Sequence, residues 1–86
     1  MKGQFAVNIG RLAILAELAE LDDEGFRKLF TKSPIKRIGR ESFIRNVLIA
    51  IGNSGEKRML PIAQKLMNDK SPVVAEAARW AAGELS

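Results

Sequence analysis

The residues with the clearest chemical character in this 86-residue chain are seven lysines and arginines that fall within nineteen positions. This basic segment contains one acidic residue, Glu41, and therefore carries a net charge of +6, whereas the whole chain carries only +4. Its cations are Arg27, Lys28, Lys32, Lys36, Arg37, Arg40 and Arg45. So dense a run of cations on an otherwise slightly acidic chain indicates an anionic partner, and nucleic acid is the commonest one.

Five cations of the basic segment are the candidate nucleic-acid-binding residues, because they fall in one connector and in the start of the helix after it. They are Lys32, Lys36, Arg37, Arg40 and Arg45. Lysine and arginine bind nucleic acid mainly through its phosphates, with release of counterions. The competing interpretation is a solvated face on which some arginines pair with Asp22, Asp23 or Glu24.

The composition also excludes several kinds of chemistry. The chain has no cysteine, histidine or tyrosine. Disulfides, thiolate metal sites, nucleophile–histidine triads and imidazole general bases are therefore ruled out. We expect no catalytic residue, no metal ligand and no cofactor-binding residue here, and no activity from this chain alone. If it belongs to an enzyme, the chemistry takes place elsewhere.

The apolar residues recur at helical spacing almost throughout, which predicts about five helices. The first carries Leu12, Leu15, Ala16 and Ala19 on its apolar face. The second, over residues 23–31, starts at an acidic run that suits a helix N-terminus. It is expected to bury three side chains, those of Phe26, Leu29 and Phe30.

The last three helices are predicted over residues 40–51, 57–68 and 72–83. Gly52 and Asn53 are expected to end the third helix in a left-handed cap. Pro61 is placed in the first turn of the fourth helix, where the missing N–H costs little. Ser71 is a good N-cap for the fifth helix, and Trp80 is expected to be its one large core residue. At least one of Arg45 and Asn46 is expected to be partly buried, and Asn46 is predicted to be a structural residue that hydrogen-bonds the backbone.

A weak internal repeat is visible at a spacing of thirty-one residues, which aligns Gly52 with Gly83 and Val47 with Ala78. Helix pairs at a short fixed period are the sequence signature of an α-solenoid. The predicted fold class is therefore all-α, a short HEAT-like α-solenoid of about five helices. We expect one domain over residues 1–86, with capping helices over residues 8–31 and about one and a half repeats over residues 40–86.

Three blocks of the sequence resemble the C-terminal region of the epoxyqueuosine reductases: LDDEGFRKLF, SPIKRIGR and FIRNVLIAIGNSG. The resemblance continues through Asp69–Val74 and Trp80-Ala81, so that it spans nearly the whole chain. The sequence departs from that family after the Ser-Pro turn, where Ala75, Glu76 and Ala77 stand in place of basic or histidine residues.

The resemblance carries expectations about function. The family reduces the epoxide of epoxyqueuosine in tRNA to queuosine, with a cobalamin and two four-iron clusters held by parts of the enzyme that this chain lacks. The implied role of this chain is a HEAT-like C-terminal module that packs on the catalytic domain of the same polypeptide. It would contribute a basic surface for the tRNA anticodon arm.

A second function class stays open, because short HEAT-like arrays often serve as protein–protein interaction scaffolds. Neither function requires a membrane. The longest apolar-leaning stretch, residues 12–21, is too short to span a bilayer and is interrupted by Glu17 and Glu20. The start of the sequence lacks the features of a signal peptide, and we therefore expect a cytoplasmic location.

Overall fold

The computed structural model describes residues 12–86, and within this range the chain is all-α, as predicted. Residues 12–19 are helical and form α1. The other helices are α2 (Asp23–Leu29), α3 (Gly39–Asn53), α4 (Leu60–Leu66) and α5 (Pro72–Leu85). Two 3-10 turns, η1 (Pro34–Ile38) and η2 (Lys57–Met59), precede α3 and α4. The proposed start of the capping helices, residues 8–11, lies outside the described residues.

Short polar side chains begin two of these helices as the sequence predicts. Asp22 Oδ1 accepts a hydrogen bond from the Gly25 N–H at 2.7 Å, which satisfies one free donor in the first turn of α2. Ser71 Oγ does the same for the Val74 N–H of α5 at 3.2 Å. Pro72 follows Ser71 in the first turn of α5, where a missing N–H leaves no hydrogen bond unmade.

Helices α3 and α5 pack against each other and run in the same direction. At their starts, Ser71 Oγ donates a hydrogen bond to Glu41 Oε2. At their ends, Gly52 lies against Trp80 and Ala81. α4 returns the chain between them and packs on α5. This parallel arrangement of α3 and α5 is the relationship that a repeat of helix pairs requires.

The main core lies between α3, α4 and α5 and reaches α1 through Leu12 and Ala19. Apolar side chains from successive turns of α3 and α5 are fully buried in it, as expected for two amphipathic helices that face each other. Small residues on α5 let the two helices approach closely. The most deeply buried core residues are Ile44, Leu48, Ile51, Ala63, Val74, Ala78, Ala81 and Leu85.

A separate aromatic cluster attaches α2 to α3. The rings of Phe26, Phe30 and Phe43 lie with centroids 5.1–5.3 Å apart and are mutually tilted, the arrangement that aromatic quadrupoles favour. Phe26 is 1% exposed. Leu29 points the other way and is 57% exposed, so the prediction that it is buried was wrong.

Several predicted helix details also differ from the structure. α3 continues past Gly52 to Asn53, and the left-handed backbone occurs at Gly55, where φ is 68°. Gly52 is a buried residue in the last turn of α3. The fourth helix begins as the 3-10 turn η2 and becomes α-helical only at Leu60, with Pro61 in the first turn as predicted. None of the helices within residues 12–86 is both long and apolar enough to cross a membrane.

Candidate nucleic-acid interface

The turn η1 positions the middle of the basic segment. Ser33 Oγ accepts a hydrogen bond from the Ile35 N–H at 3.2 Å, and Pro34 fixes the first residue of the turn. Gly39 then redirects the chain into α3. Its φ is 80°, a backbone conformation that residues with a side chain rarely adopt. Because η1 ends at Ile38 and the chain turns at Gly39, Lys36 and Arg40 stand on different helices and do not share a helical face.

Three of the five candidate residues lie together on the surface. Lys32, Lys36 and Arg37 are exposed and line one surface depression with Thr31, Ser33 and Pro34. Within residues 12–86, no carboxylate oxygen lies within 4.0 Å of these three cations. We refer to Lys32, Lys36 and Arg37 as the basic cluster. Its three charges face solvent and are available to an anion.

Arg40 lies apart from the basic cluster and is used within the fold. Its Nη2 and Nη1 donate to the two carboxylate oxygens of Asp69 at 2.8 and 3.2 Å, and its Nε donates to the Leu21 carbonyl at 2.7 Å. The hydrogen bond from Asp69 raises the pKa of Arg40, and the same bond lowers the pKa of Asp69. The side chains of this pair are only 17% and 12% exposed.

Arg45 is exposed on α3 but lines a different feature from the basic cluster. Its Nη2 donates to Asn46 Oδ1 at 3.4 Å, a long contact between neighbouring residues. Asn46 is exposed as well, so the prediction that at least one of the two residues is partly buried was wrong. The five candidate residues therefore occupy three environments: the basic cluster, an internal ion pair and a second surface groove.

This second surface groove runs between α3 and α5. We name it the α3–α5 groove, and its lining residues are Arg45, Ile49, Asn53, Val73, Glu76, Ala77 and Trp80. Trp80 is 42% exposed, and Ile49 and Val73 are about as exposed. The prediction that Trp80 is a core residue was wrong, because the buried face of α5 is the stripe of Val74, Ala78, Ala81 and Leu85.

A signal for the α3–α5 groove was present in the sequence. Trp80 follows Glu76 by four residues and Val73 by seven, so these three side chains share one helical face. That face carries an acidic residue and lies away from the alanine stripe. Helical spacing taken together with charge therefore separates Trp80 from the core, whereas its size and apolarity alone do not.

No residue of this chain could ligate the four-iron clusters that the sequence resemblance implies for a parent enzyme. A four-iron cluster requires thiolate ligands, and the chain has no cysteine. In the part of the chain that the structure describes, no group of three or more carboxylates is placed to hold a metal ion. What the described surface offers is cations and an apolar groove.

These features define a small all-α domain with a basic surface. Two curated proteins match its sequence, and both are epoxyqueuosine reductases. The one from Xanthomonas campestris pv. campestris is 32% identical over 71 residues, which cover 81% of this chain and 20% of that protein. The one from Alicycliphilus denitrificans is 36% identical over 75 residues, which cover 78% of this chain and 21% of that protein.

The resemblance to the epoxyqueuosine reductases is therefore confirmed, and the chain is related to a part of these proteins. It spans about one fifth of the length of the curated relatives that it matches. No protein-family model matches the chain, and no solved structure matches it.

Proposed function

We propose that this chain is the C-terminal, non-catalytic module of an epoxyqueuosine reductase and supplies part of its tRNA-binding surface. The observation that carries the proposal is the basic cluster: three adjacent exposed cations without a carboxylate partner among the described residues. The matches to about one fifth of two epoxyqueuosine reductases support the assignment to that enzyme. The catalytic reduction then belongs to the remaining four fifths.

The basic cluster acts through phosphate contacts. Ammonium and guanidinium groups bind phosphate oxygens and release condensed counterions, which gives affinity without base specificity. Lys36 and Arg37 stand on a short turn anchored by Ser33 and Gly39, so their backbone is ordered before RNA arrives. The phosphates of a tRNA anticodon arm are the proposed partner. Arg40 serves in the fold, because Asp69 already neutralises its charge.

The proposal includes a second partner, the catalytic domain of the same polypeptide, against which this module would pack. That domain would carry the cobalamin and the two four-iron clusters, and a cytoplasmic location follows from acting on tRNA. We propose that the helices form the HEAT-like arrangement predicted from the sequence, in which α1 and α2 cap the units formed by α3, α4 and α5. The parallel packing of α3 and α5 supports this arrangement.

Charge reversal of two residues tests the RNA-binding surface, and the chain offers a matched control. Lys36 and Arg37 stand in the 3-10 turn η1, and a second Lys-Arg pair, Lys57 and Arg58, stands in the 3-10 turn η2. We expect the double variant Lys36→Glu/Arg37→Glu to lose most binding of a labelled anticodon-arm RNA at low salt. The variant Lys57→Glu/Arg58→Glu has the same net charge and should lose much less.

Two outcomes would contradict this function. Equal losses in the two double variants would mean that net charge, and not the basic cluster, drives the binding. Absence of any binding by the unaltered chain at low salt would remove the RNA-binding role altogether.

The alternative function is a HEAT-like protein–protein interaction scaffold. The exposed apolar side chains of the α3–α5 groove favour it, because clustered apolar exposure is typical of interaction surfaces. A protein partner held there would bind with little dependence on salt, whereas RNA binding weakens steeply as salt rises.

A further inference from the structure

The α3–α5 groove contains an aromatic side chain that is exposed and also firmly seated. The Trp80 indole crosses the backbone of α3 at Gly52. A Cβ added at Gly52 would lie 2.5 Å from Cζ3 of the indole and 3.1 Å from the Cα of Ala81. Only a glycine permits this approach, yet 42% of Trp80 remains exposed. One part of the ring system is therefore packed and the rest faces the groove.

This arrangement has a cost that the core does not explain. A glycine in a helix is less favourable than an alanine, because the glycine backbone loses more conformational freedom on folding. An exposed tryptophan also leaves a large apolar area in contact with water. The core between α3 and α5 is already closed by the buried stripe of Val74, Ala78, Ala81 and Leu85, beside which Trp80 lies. What the Gly52–Trp80 contact provides is a flat aromatic surface with a fixed orientation.

The polar groups around the indole are of three kinds. Arg45 brings a guanidinium, Asn53 an amide and Glu76 a carboxylate, and all three line the α3–α5 groove with Trp80. An amide both donates and accepts hydrogen bonds, and a carboxylate accepts them from exocyclic amino groups. An aromatic plane flanked by such groups suits a planar heterocycle with donors and acceptors on its edge, which is the chemistry of a nucleobase.

We propose that the α3–α5 groove binds one unpaired base of an RNA strand, with the base stacked on Trp80 and its edge facing Asn53 and Glu76. The proposal rests on the RNA-binding function proposed above and extends it from phosphates to a base. Stacking on aromatic side chains is the common way in which proteins hold single-stranded bases. Arg45 is left to contact the phosphate next to that base.

Charge complementarity favours RNA over an apolar helix as the occupant. Arg45 belongs to the basic segment of net charge +6 and lies six residues, about 9 Å along the axis, beyond the start of α3 at Gly39. η1 with Lys36 and Arg37 ends at that same point. Measured along the axis of α3, the end of η1 and Arg45 of the α3–α5 groove are therefore less than two helical turns apart, a spacing that one RNA strand can span. An apolar helix would leave Arg45 and Glu76 without polar partners.

The chain contains a single tryptophan, so its fluorescence reports on this groove alone. We expect a single-stranded anticodon-loop RNA to quench Trp80 emission with saturation, and an abasic strand of the same length to quench it much less. With a labelled RNA, Trp80→Leu should weaken binding about 10-fold, since one stacked base contributes on the order of 1–3 kcal/mol. Trp80→Phe should retain most of the affinity.

The control variant is Ile14→Ala, which removes another exposed apolar side chain, one that is 57% exposed on α1. It should leave RNA affinity unchanged. If RNA binds but emission does not change and Trp80→Leu binds normally, the base site is overturned while the phosphate-binding function stands. If Trp80 emission instead shifts to the blue with rising protein concentration and RNA has no effect on it, the groove is an interface between copies of this chain.

Discussion

Arg40 and Asp69, twenty-nine residues apart, form a two-point ion pair that joins the start of α3 to the turn before α5. The two N–O distances are 2.8 and 3.2 Å, and a third hydrogen bond from Arg40 reaches the Leu21 carbonyl. Asp69 also accepts from the Ser71 N–H at 3.0 Å. One side chain therefore connects the α1–α2 link, α3 and the α4–α5 turn.

Removal of this pair should lower stability clearly. Arg40→Ala leaves the Asp69 carboxylate half-buried without its cation, and the loss should be about 2–3 kcal/mol in the free energy of unfolding. Urea unfolding followed by circular dichroism measures it. The control is Arg27→Ala, whose pair with Asp23 is long at 3.5 Å and whose side chain is 70% exposed. That variant should change stability by less than about 0.5 kcal/mol, and equal losses would refute the structural role of Arg40.

The same pair makes stability depend on pH. The pKa of Asp69 is lowered below its ordinary 3.8 by the hydrogen bonds from Arg40 and the Ser71 N–H. The stabilisation is therefore fully present above pH 3.8 and is lost as the pH falls through the lower pKa of the folded state. The stability difference between the unaltered chain and Asp69→Asn should shrink between pH 5 and pH 2. A difference that is constant over this range would contradict the ion pair.

Gly52→Ala should destabilise the chain, although alanine is the better helix former. The added methyl group would clash with the indole of Trp80 and crowd the Ala81 backbone, with an expected net loss of about 1–3 kcal/mol. Gly83→Ala is the matched control, since Gly83 is an exposed helical glycine with nothing within 4 Å of an added Cβ. It should gain about 0.5 kcal/mol. Thermal unfolding measures the stability of both variants. A Gly52→Ala variant more stable than the unaltered chain would contradict the close contact between Gly52 and Trp80.

Phe26→Ala should cost about 3–4 kcal/mol, because it removes a buried ring from the aromatic cluster with Phe30 and Phe43. Leu29→Ala on the same helix should cost less than about 0.5 kcal/mol, since Leu29 is 57% exposed. Chemical unfolding of the two variants tests which face of α2 packs. A larger loss for Leu29→Ala than for Phe26→Ala would contradict the packing of the Phe26 face of α2 against α3.

The salt dependence of RNA binding should reflect only those of the five candidate residues that are exposed. Lys32, Lys36, Arg37 and Arg45 are exposed, and four phosphate contacts predict a log–log slope of about −3 for a single strand. The double variant Lys36→Ala/Arg37→Ala should make the slope less steep by about 1.4. Fluorescence anisotropy at several salt concentrations measures it. A slope that does not change would exclude phosphate contacts by these two residues.

The sequence was sufficient to predict the helices within residues 12–86 and the starts of two of them. Hydrophobic periodicity located these helices, and the short polar residues Asp22 and Ser71 marked where α2 and α5 begin. These are local signals, because a cap and its amide lie within three residues of each other. The end of α3 was predicted too early because a glycine in a helical pattern usually indicates a helix end. Gly52 is instead required by a contact with Trp80, twenty-eight residues away.

The candidate site divides in the same way. The exposure of Lys32, Lys36 and Arg37 follows from a polar connector between helices. The burial of Arg40 depends on Asp69 in a distant turn, and nothing near Arg40 in the sequence indicates that partner. The exposure of Trp80 is indicated by its helical spacing from Glu76 and Val73, but its contact with Gly52 depends on tertiary packing.

The aromatic cluster affects the order in which parts of the domain unfold. Phe26 lies outside the core shared by α1, α3, α4 and α5, and Phe43 joins the two. Local unfolding of α2 therefore requires less free energy than global unfolding. Such an opening frees the chain on the N-terminal side of η1 and leaves the seat of Trp80 intact. Within the basic cluster, Lys32 therefore stands on an adaptable segment, whereas Lys36 and Arg37 in η1, which contacts α3, and the α3–α5 groove keep their positions.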